Sequence, residues 1–223
     1  MQLFLKKNIF LFFWIVASVG TLSQCFNSGN LYFFIKPLLL PSLIAAVILN
    51  TGPTRSRHIV IAALFFSFLG DVFLLFEYMG PLFFIIGLIC FLLTHVLYCW
   101  YFLQIRKTGI SLLKQKPWII LAVVLYTGCL LWLLLPTLGD LTVPVIIYAC
   151  ILTTMVVCCF RGYNFINRAS RTLFVPGVIC FVASDSLLAI NKFYTAFSSA
   201  AFFITLTYCL AQYLIVRGFI KSI

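Results

Sequence analysis

Acidic side chains are almost missing from this chain: Asp71, Glu77, Asp140 and Asp185 are the only four among 223 residues. Charge of either sign is scarce. At 9% of residues it falls far below the quarter or so found in soluble domains, and 64% of the residues are apolar, which excludes a soluble globular protein. Linkers rich in Pro, Gly or Ser, low-complexity tracts and a repeat of fixed period are also absent, so residues 1–223 read as a single domain. No His-x-x-x-His spacing occurs, and the nine cysteines are scattered, with only Cys158 and Cys159 adjacent. They read as small apolar packing residues, and neither a metal nor a cofactor is expected.

What the chain has instead is long apolar runs. A membrane-spanning helix needs about 20 apolar residues. The sequence divides into eight such runs, over approximately residues 8–24, 31–50, 59–77, 81–104, 117–136, 141–160, 172–191 and 195–216. The expected architecture is an all-α integral membrane protein, a bundle of eight transmembrane helices. Basic residues mark every second connection: Lys6 and Lys7, Arg55 and Arg57, Arg106, Lys107, Lys114 and Lys116, then Arg161, Arg168 and Arg171, then Arg217 and Lys221. The positive-inside rule places these in the cytoplasm together with both termini. The net charge of +11 is thereby explained by membrane topology, so no nucleic-acid partner is expected, and membrane lipid is. Lys6-Lys7 before an apolar run also resembles a signal peptide, and Leu22-Ser23-Gln24-Cys25 approaches a lipoprotein cleavage site. Gln24 fits poorly before that cysteine, so the first segment is expected to be retained. The short, loop-poor design suits a multi-pass protein of the bacterial inner membrane.

Two of the four acids fall inside these runs. A carboxylate at such depth is costly, and such residues tend to be functional. Asp71 sits beside Gly70, four residues after Ser67 and about six before the external end of its helix, roughly 9 Å deep. Asp185 follows Ser184 and lies five or six residues below its helix end, roughly 8 Å deep. Lys36 and Lys192 are the only cations that the positive-inside pattern leaves outside the cytoplasm; either could snorkel, pair with an acid or hold a lipid phosphate. Lys36 precedes Pro37 at a depth similar to that of the acids. His95, Tyr148, Tyr208 and Gln212 are further polar groups within helices. Each reads either as an interhelical hydrogen-bonding residue or as a substrate contact.

The ordered set resembles the YhhN family of eight-helix membrane proteins. It comprises Lys36-Pro37, Ser67 with Gly70-Asp71, Gly87-Leu88 with Phe91, His95 and Tyr98, and then Tyr148. It continues with Ser184-Asp185, Leu188-Ala189 and Phe193, and ends at Tyr208, Ala211-Gln212 and Ile215. The resemblance covers nearly the whole chain. It implies lysoplasmalogenase activity, hydrolysis of the vinyl ether bond of a lysophospholipid substrate to a fatty aldehyde and a glycerophospho-base. It also implies that Asp71 and Asp185 are catalytic. Lys36, Ser67, His95, Tyr148, Ser184, Lys192, Tyr208 and Gln212 are the expected substrate-binding residues.

The chemistry of the bond fits two acids. Cleavage requires a proton on the outer alkene carbon, then water on the oxocarbenium-like cation that results. Two carboxyl groups in a low-dielectric pocket can hold one proton between them near neutral pH. The expected division of labour makes Asp185 the proton donor and pairs Asp71, which orients water, with Lys36. An intramembrane aspartyl protease is the weaker hydrolase reading, because Phe68 stands where its Gly-x-Gly-Asp pattern has glycine. A proton-coupled lipid or small-molecule transporter could use the same acids as a relay. A purely structural ion pair explains little, since buried pairs are poor stabilisers.

Overall fold

The computed structural model describes residues 2–25, 29–106 and 108–223; Lys107 of the basic connections lies outside them. Among the described residues the chain is helical and has no strand. The α-helices are α1 (Gln2–Cys25), α2 (Gly29–Asn50), α3 (Arg55–Leu75), α4 (Pro81–Gln104) and the short α5 (Leu112–Gln115). They continue as α6 (Trp118–Leu134), α7 (Thr142–Gly162), α8 (Arg168–Ala189) and α9 (Ala200–Ser222). Seven helices, α2 to α4 and α6 to α9, are long and apolar enough to span a membrane. Helix α1 carries a shorter apolar stretch, Asn8–Gln24.

Hydropathy locates the middles of these helices well and their ends less well, for reasons visible in the capping. Thr54 is extended, and its side chain accepts the Arg57 N–H at 3.1 Å, so α3 begins at Arg55 and not near residue 59. Asn167 likewise accepts the Ser170 N–H at 2.8 Å and starts α8 at Arg168, ahead of residue 172. A cap satisfies the orphan donors of a first turn even where the sequence is polar. The last span is displaced the other way. Ile190–Tyr194 forms a π-helical turn that prolongs α8. Thr195 is extended with its N–H donating to the Ile190 carbonyl at 2.9 Å, and Asn191 accepts the Phe197 N–H at 3.2 Å. Residues 195–199 therefore form the connection, and α9 starts at Ala200.

The chain divides into two compact units, one running through Tyr98 with Ile223 added and the other Cys99–Ser222. In the first, α1 packs on α2 and α2 on α3. Phe13, Leu39, Leu43, Val60 and Leu64 are among its buried side chains. Gly70 sets the approach of α3 and α4, because a methyl group there would lie 2.8 Å from the Phe91 ring. In the second unit α8 and α9 form the most extensively packed helix pair. A methyl group on Gly177 would lie 3.1 Å from the backbone nitrogen of Ile215, and one on Gly218 would lie 2.9 Å from the Phe174 ring. Small residues at both crossings let backbones approach, as is common where lipid replaces water as solvent. Gly177→Ala is expected to cost about 1–3 kcal/mol, since backbone cannot move aside as a flexible side chain can. A thermal melt in detergent equal to that of the unaltered protein would contradict this. The turn between α6 and α7 uses Gly139 at φ 52°, a left-handed conformation that favours glycine.

Candidate active site

Each unit holds one acid within a spanning helix, and each acid has a defined partner. In the first unit Asp71 on α3 is only 2% exposed, and its Oδ1 lies 3.4 Å from Lys36 Nζ on α2. Apolar surroundings leave a carboxylate few ways to be stabilised, and a cation alongside is the strongest. The Lys36 ammonium also lies 5.5 Å from the centroid of the Tyr32 ring, one helical turn away, in cation–π geometry. Pro37 and Pro41 follow within α2, removing two backbone donors just beyond the pair.

Ser67, expected on the Asp71 face, donates its hydroxyl to Thr94 Oγ1 on α4 at 3.1 Å. Thr94 shares its own proton between the carbonyls of Ala63 and Cys90, at 3.1 and 3.2 Å. This network ties α3 to α4 beneath the Gly70–Phe91 contact. His95, next in sequence to Thr94, is fully buried.

In the second unit the Tyr148 hydroxyl on α7 donates to Asp185 Oδ2 on α8 at 2.8 Å. Ser184 turns its hydroxyl to the Ile204 carbonyl at 3.1 Å, tying α8 to α9. On the other side of Asp185, Ser186 accepts a hydrogen bond from Tyr126 of α6 at 2.8 Å. The Tyr208 ring packs edge-on against Phe181, with centroids 5.8 Å apart, and Gln212 one turn on is 1% exposed. Lys192 projects from the π-helical turn and is exposed. Because that turn prolongs α8, Asp185 lies nine residues from the end of its helical run. By helix rise that is about 13 Å, deeper than the 8 Å expected from hydropathy.

The structure thus joins Lys36 to Asp71 and Tyr148 to Asp185. Ser67 and Ser184 are engaged in ties between helices. Tyr32, Thr94, Tyr126 and Ser186 belong to these networks and were not singled out by sequence. Ser186 and Thr94 were signalled only by adjacency to Asp185 and His95, and Tyr32 by its i, i+4 spacing from Lys36. Among the described residues no three His, Cys, Asp or Glu side chains gather as a metal site requires.

A helical, multi-pass integral membrane protein with two acids set inside spanning helices is the class this fold and site define. The sequence model of the YhhN family matches residues 31–219, and the chain belongs to that family. A porcine relative named lysoplasmalogenase TMEM86B is 35% identical over 198 residues, 88% of this chain and 74% of the relative. Human lysoplasmalogenase TMEM86A is 27% identical over 222 residues, covering 96% and 85% of the two chains. A lysoplasmalogenase of Mycobacterium bovis is 29% identical over 179 residues, which span 79% of this chain and 66% of that protein, just under two thirds of its length. No solved structure matches the chain.

Proposed function

We propose that this protein is a lysoplasmalogenase that hydrolyses the vinyl ether of a lysoplasmalogen within the membrane, with Asp185 and Asp71 as its catalytic carboxyls. The observation that carries the reading is that both acids in spanning helices are specifically held, Asp71 by Lys36 and Asp185 by Tyr148. Family membership and the relatives' names supply the substrate class.

The reaction proceeds in three steps. Asp185 in its acid form donates a proton to the outer alkene carbon, and the double-bond electrons form the new C–H bond. Positive charge then develops on the carbon bearing the ether oxygen. Asp71 stabilises that charge and takes a proton from the water that attacks the carbon. The hemiacetal collapses to a fatty aldehyde as its hydroxyl returns a proton to Asp185 and Asp71 passes the proton it took from water to the departing glycerol oxygen, and a glycerophosphoethanolamine or glycerophosphocholine is released. A carboxylic acid can accept from Tyr148 on one oxygen and offer its proton from the other, so the observed hydrogen bond is compatible with Asp185 as donor. Lys36 provides the countercharge that a carboxylate at Asp71 needs.

Lys192, seven residues beyond Asp185 on the same helical run, is assigned to the substrate phosphate. Lys192→Gln is expected to raise KM more than it lowers kcat, and an unchanged KM would count against the assignment. Tyr208, Gln212 and His95 are assigned as further substrate contacts.

The topology in this proposal has eight spans with both termini in the cytoplasm. The 17-residue stretch Asn8–Gln24 of α1 falls within the roughly 17–25 residues a span requires, adding one to the seven longer helices. Arg55 and Arg57, Arg106, Lys114 and Lys116, Arg161 and Arg168, and Arg217 and Lys221 then share the cytoplasmic face. A bacterial inner membrane suits the short connections. The activity is tested by incubating purified protein in detergent with lysoplasmalogen and measuring aldehyde. Binding of the lipid without aldehyde release would overturn the hydrolase reading in favour of transport.

A further inference from the structure

Helices α6, α7 and α8 of the second unit line an apolar cavity of about 500 Å³. From α8 it takes Ile179, Val182, Ala183 and Ser186, an i, i+3, i+4, i+7 stripe of one face. That stripe ends one residue past Asp185. From α7 the walls include Ala149, next to Tyr148, and then Thr153, Val156 and Phe160. From α6 they run from Trp118 through Ala122 and Tyr126 to Leu130. One end of the cavity thus lies at the level of the Tyr148–Asp185 hydrogen bond, whose sequence neighbours Ala149 and Ser186 line it, and the other end lies at Trp118 and Phe160.

The lining contains hydroxyls, but they are spent on one another. Tyr126 donates to Ser186 at 2.8 Å, and Thr127 and Thr153 meet at 2.7 Å. These two clasps stitch α6 to α8 and α7 and leave hydrocarbon facing the space. Beyond the acid end, Leu134, Leu138 and Val145 pack with Ala189 and Phe193, fixing the other ends of the same helices.

We infer that this cavity is the binding site for the single hydrocarbon chain of the lysolipid, with the vinyl ether at its Asp185 end and the chain terminus at Trp118 and Phe160. The inference rests on the lysoplasmalogenase reading and assigns it a substrate site. Three features select that occupant. Two of its walls, Ala149 and Ser186, are the sequence neighbours of the hydrogen-bonded Tyr148 and Asp185. Its length from Ala149 to Phe160, eleven residues of helix, is about 16 Å, close to the roughly 15 Å that one chain covers in half of a bilayer core. Its volume lies in the range of about 300–1,000 Å³ typical of small-molecule sites. Polarity along the α8 run then matches the lipid in order, with Lys192 for the phosphate, Asp185 for the ether and the stripe from Ser186 down to Ile179 for the chain.

The site acts as a ruler, and two experiments test it. Ala122→Phe, on a wall residue two thirds of the way along, shortens the space from the Trp118 end. With this variant, kcat/KM for a lysoplasmalogen bearing a sixteen-carbon chain is expected to fall about tenfold or more, while an eight-carbon substrate keeps its rate within about twofold. Equal loss for both, or loss for neither, would overturn the assignment. The second experiment needs no turnover. A lysophosphatidylethanolamine with a photoreactive diazirine at the end of its saturated chain is expected to label Trp118, Phe160 or their neighbours in the unaltered protein, and less so in Ala122→Phe. Labelling spread evenly over the lipid-facing helices would contradict a dedicated chain site. Labelling at these positions without aldehyde release would instead sustain the chain site and defeat the lysoplasmalogenase reading, so the two failures are distinct.

Discussion

Asp185→Asn is expected to lower kcat for aldehyde release by about 10²–10⁴-fold, the usual contribution of a positioned acid or base. The substitution is nearly isosteric, and its amide oxygen can still accept from Tyr148, which now donates at 2.8 Å to the carboxyl oxygen Oδ2. What it loses is the ability to give a proton to carbon. KM and the thermal melt should therefore stay near those of the unaltered protein, which separates a chemical defect from a folding defect. Tyr148→Phe is the matched control, since it leaves the acid in place but removes its hydrogen bond, and a smaller loss is expected. An Asp185→Asn enzyme of full activity would remove the proposed proton donor.

Lys36→Met is expected to destabilise the protein by about 3–5 kcal/mol, because it leaves the Asp71 carboxyl buried without its cation. The double variant Lys36→Met with Asp71→Asn should recover most of that loss, since removing both partners of a buried pair is far cheaper than removing one. It should nevertheless be inactive, as the water-orienting carboxylate is gone. Melting temperature and turnover are thus expected to part company in the double variant. A Lys36→Met protein as stable as the unaltered one would show that the 3.4 Å pair does not hold Asp71 in place.

Scarcity is what made part of this site readable from sequence. With so few acids, those at Asp71 and Asp185 stand out against apolar surroundings, and Lys36 stands out because the positive-inside pattern does not require it. The spans were readable for a similar reason; α4 coincides with its apolar run, residues 81–104. Helix ends were harder. Thr54 and Asn167 start helices in polar sequence, and the apolar content of Ala196 and Phe197 conceals a connection. The chain cavity was not readable at all. Helix α6 is apolar on every face and little of it is buried within the structure, so nothing in its pattern marks the stripe that faces α7 and α8. The hydroxyl clasps at Tyr126–Ser186 and Thr127–Thr153 pair residues from distant parts of the chain, and no local spacing announces them.

Proton transfer to carbon is the step that distinguishes this account from other ways of using two membrane acids. It is tested most directly by turning over lysoplasmalogen in heavy water and examining both products by mass spectrometry, with Asp185→Asn run in parallel. The unaltered protein is predicted to release aldehyde carrying one deuterium on the carbon next to the carbonyl, with the glycerol oxygen retained from the substrate, and the variant to release almost none. Aldehyde without that deuterium, or labelled aldehyde formed equally fast by Asp185→Asn, would contradict it.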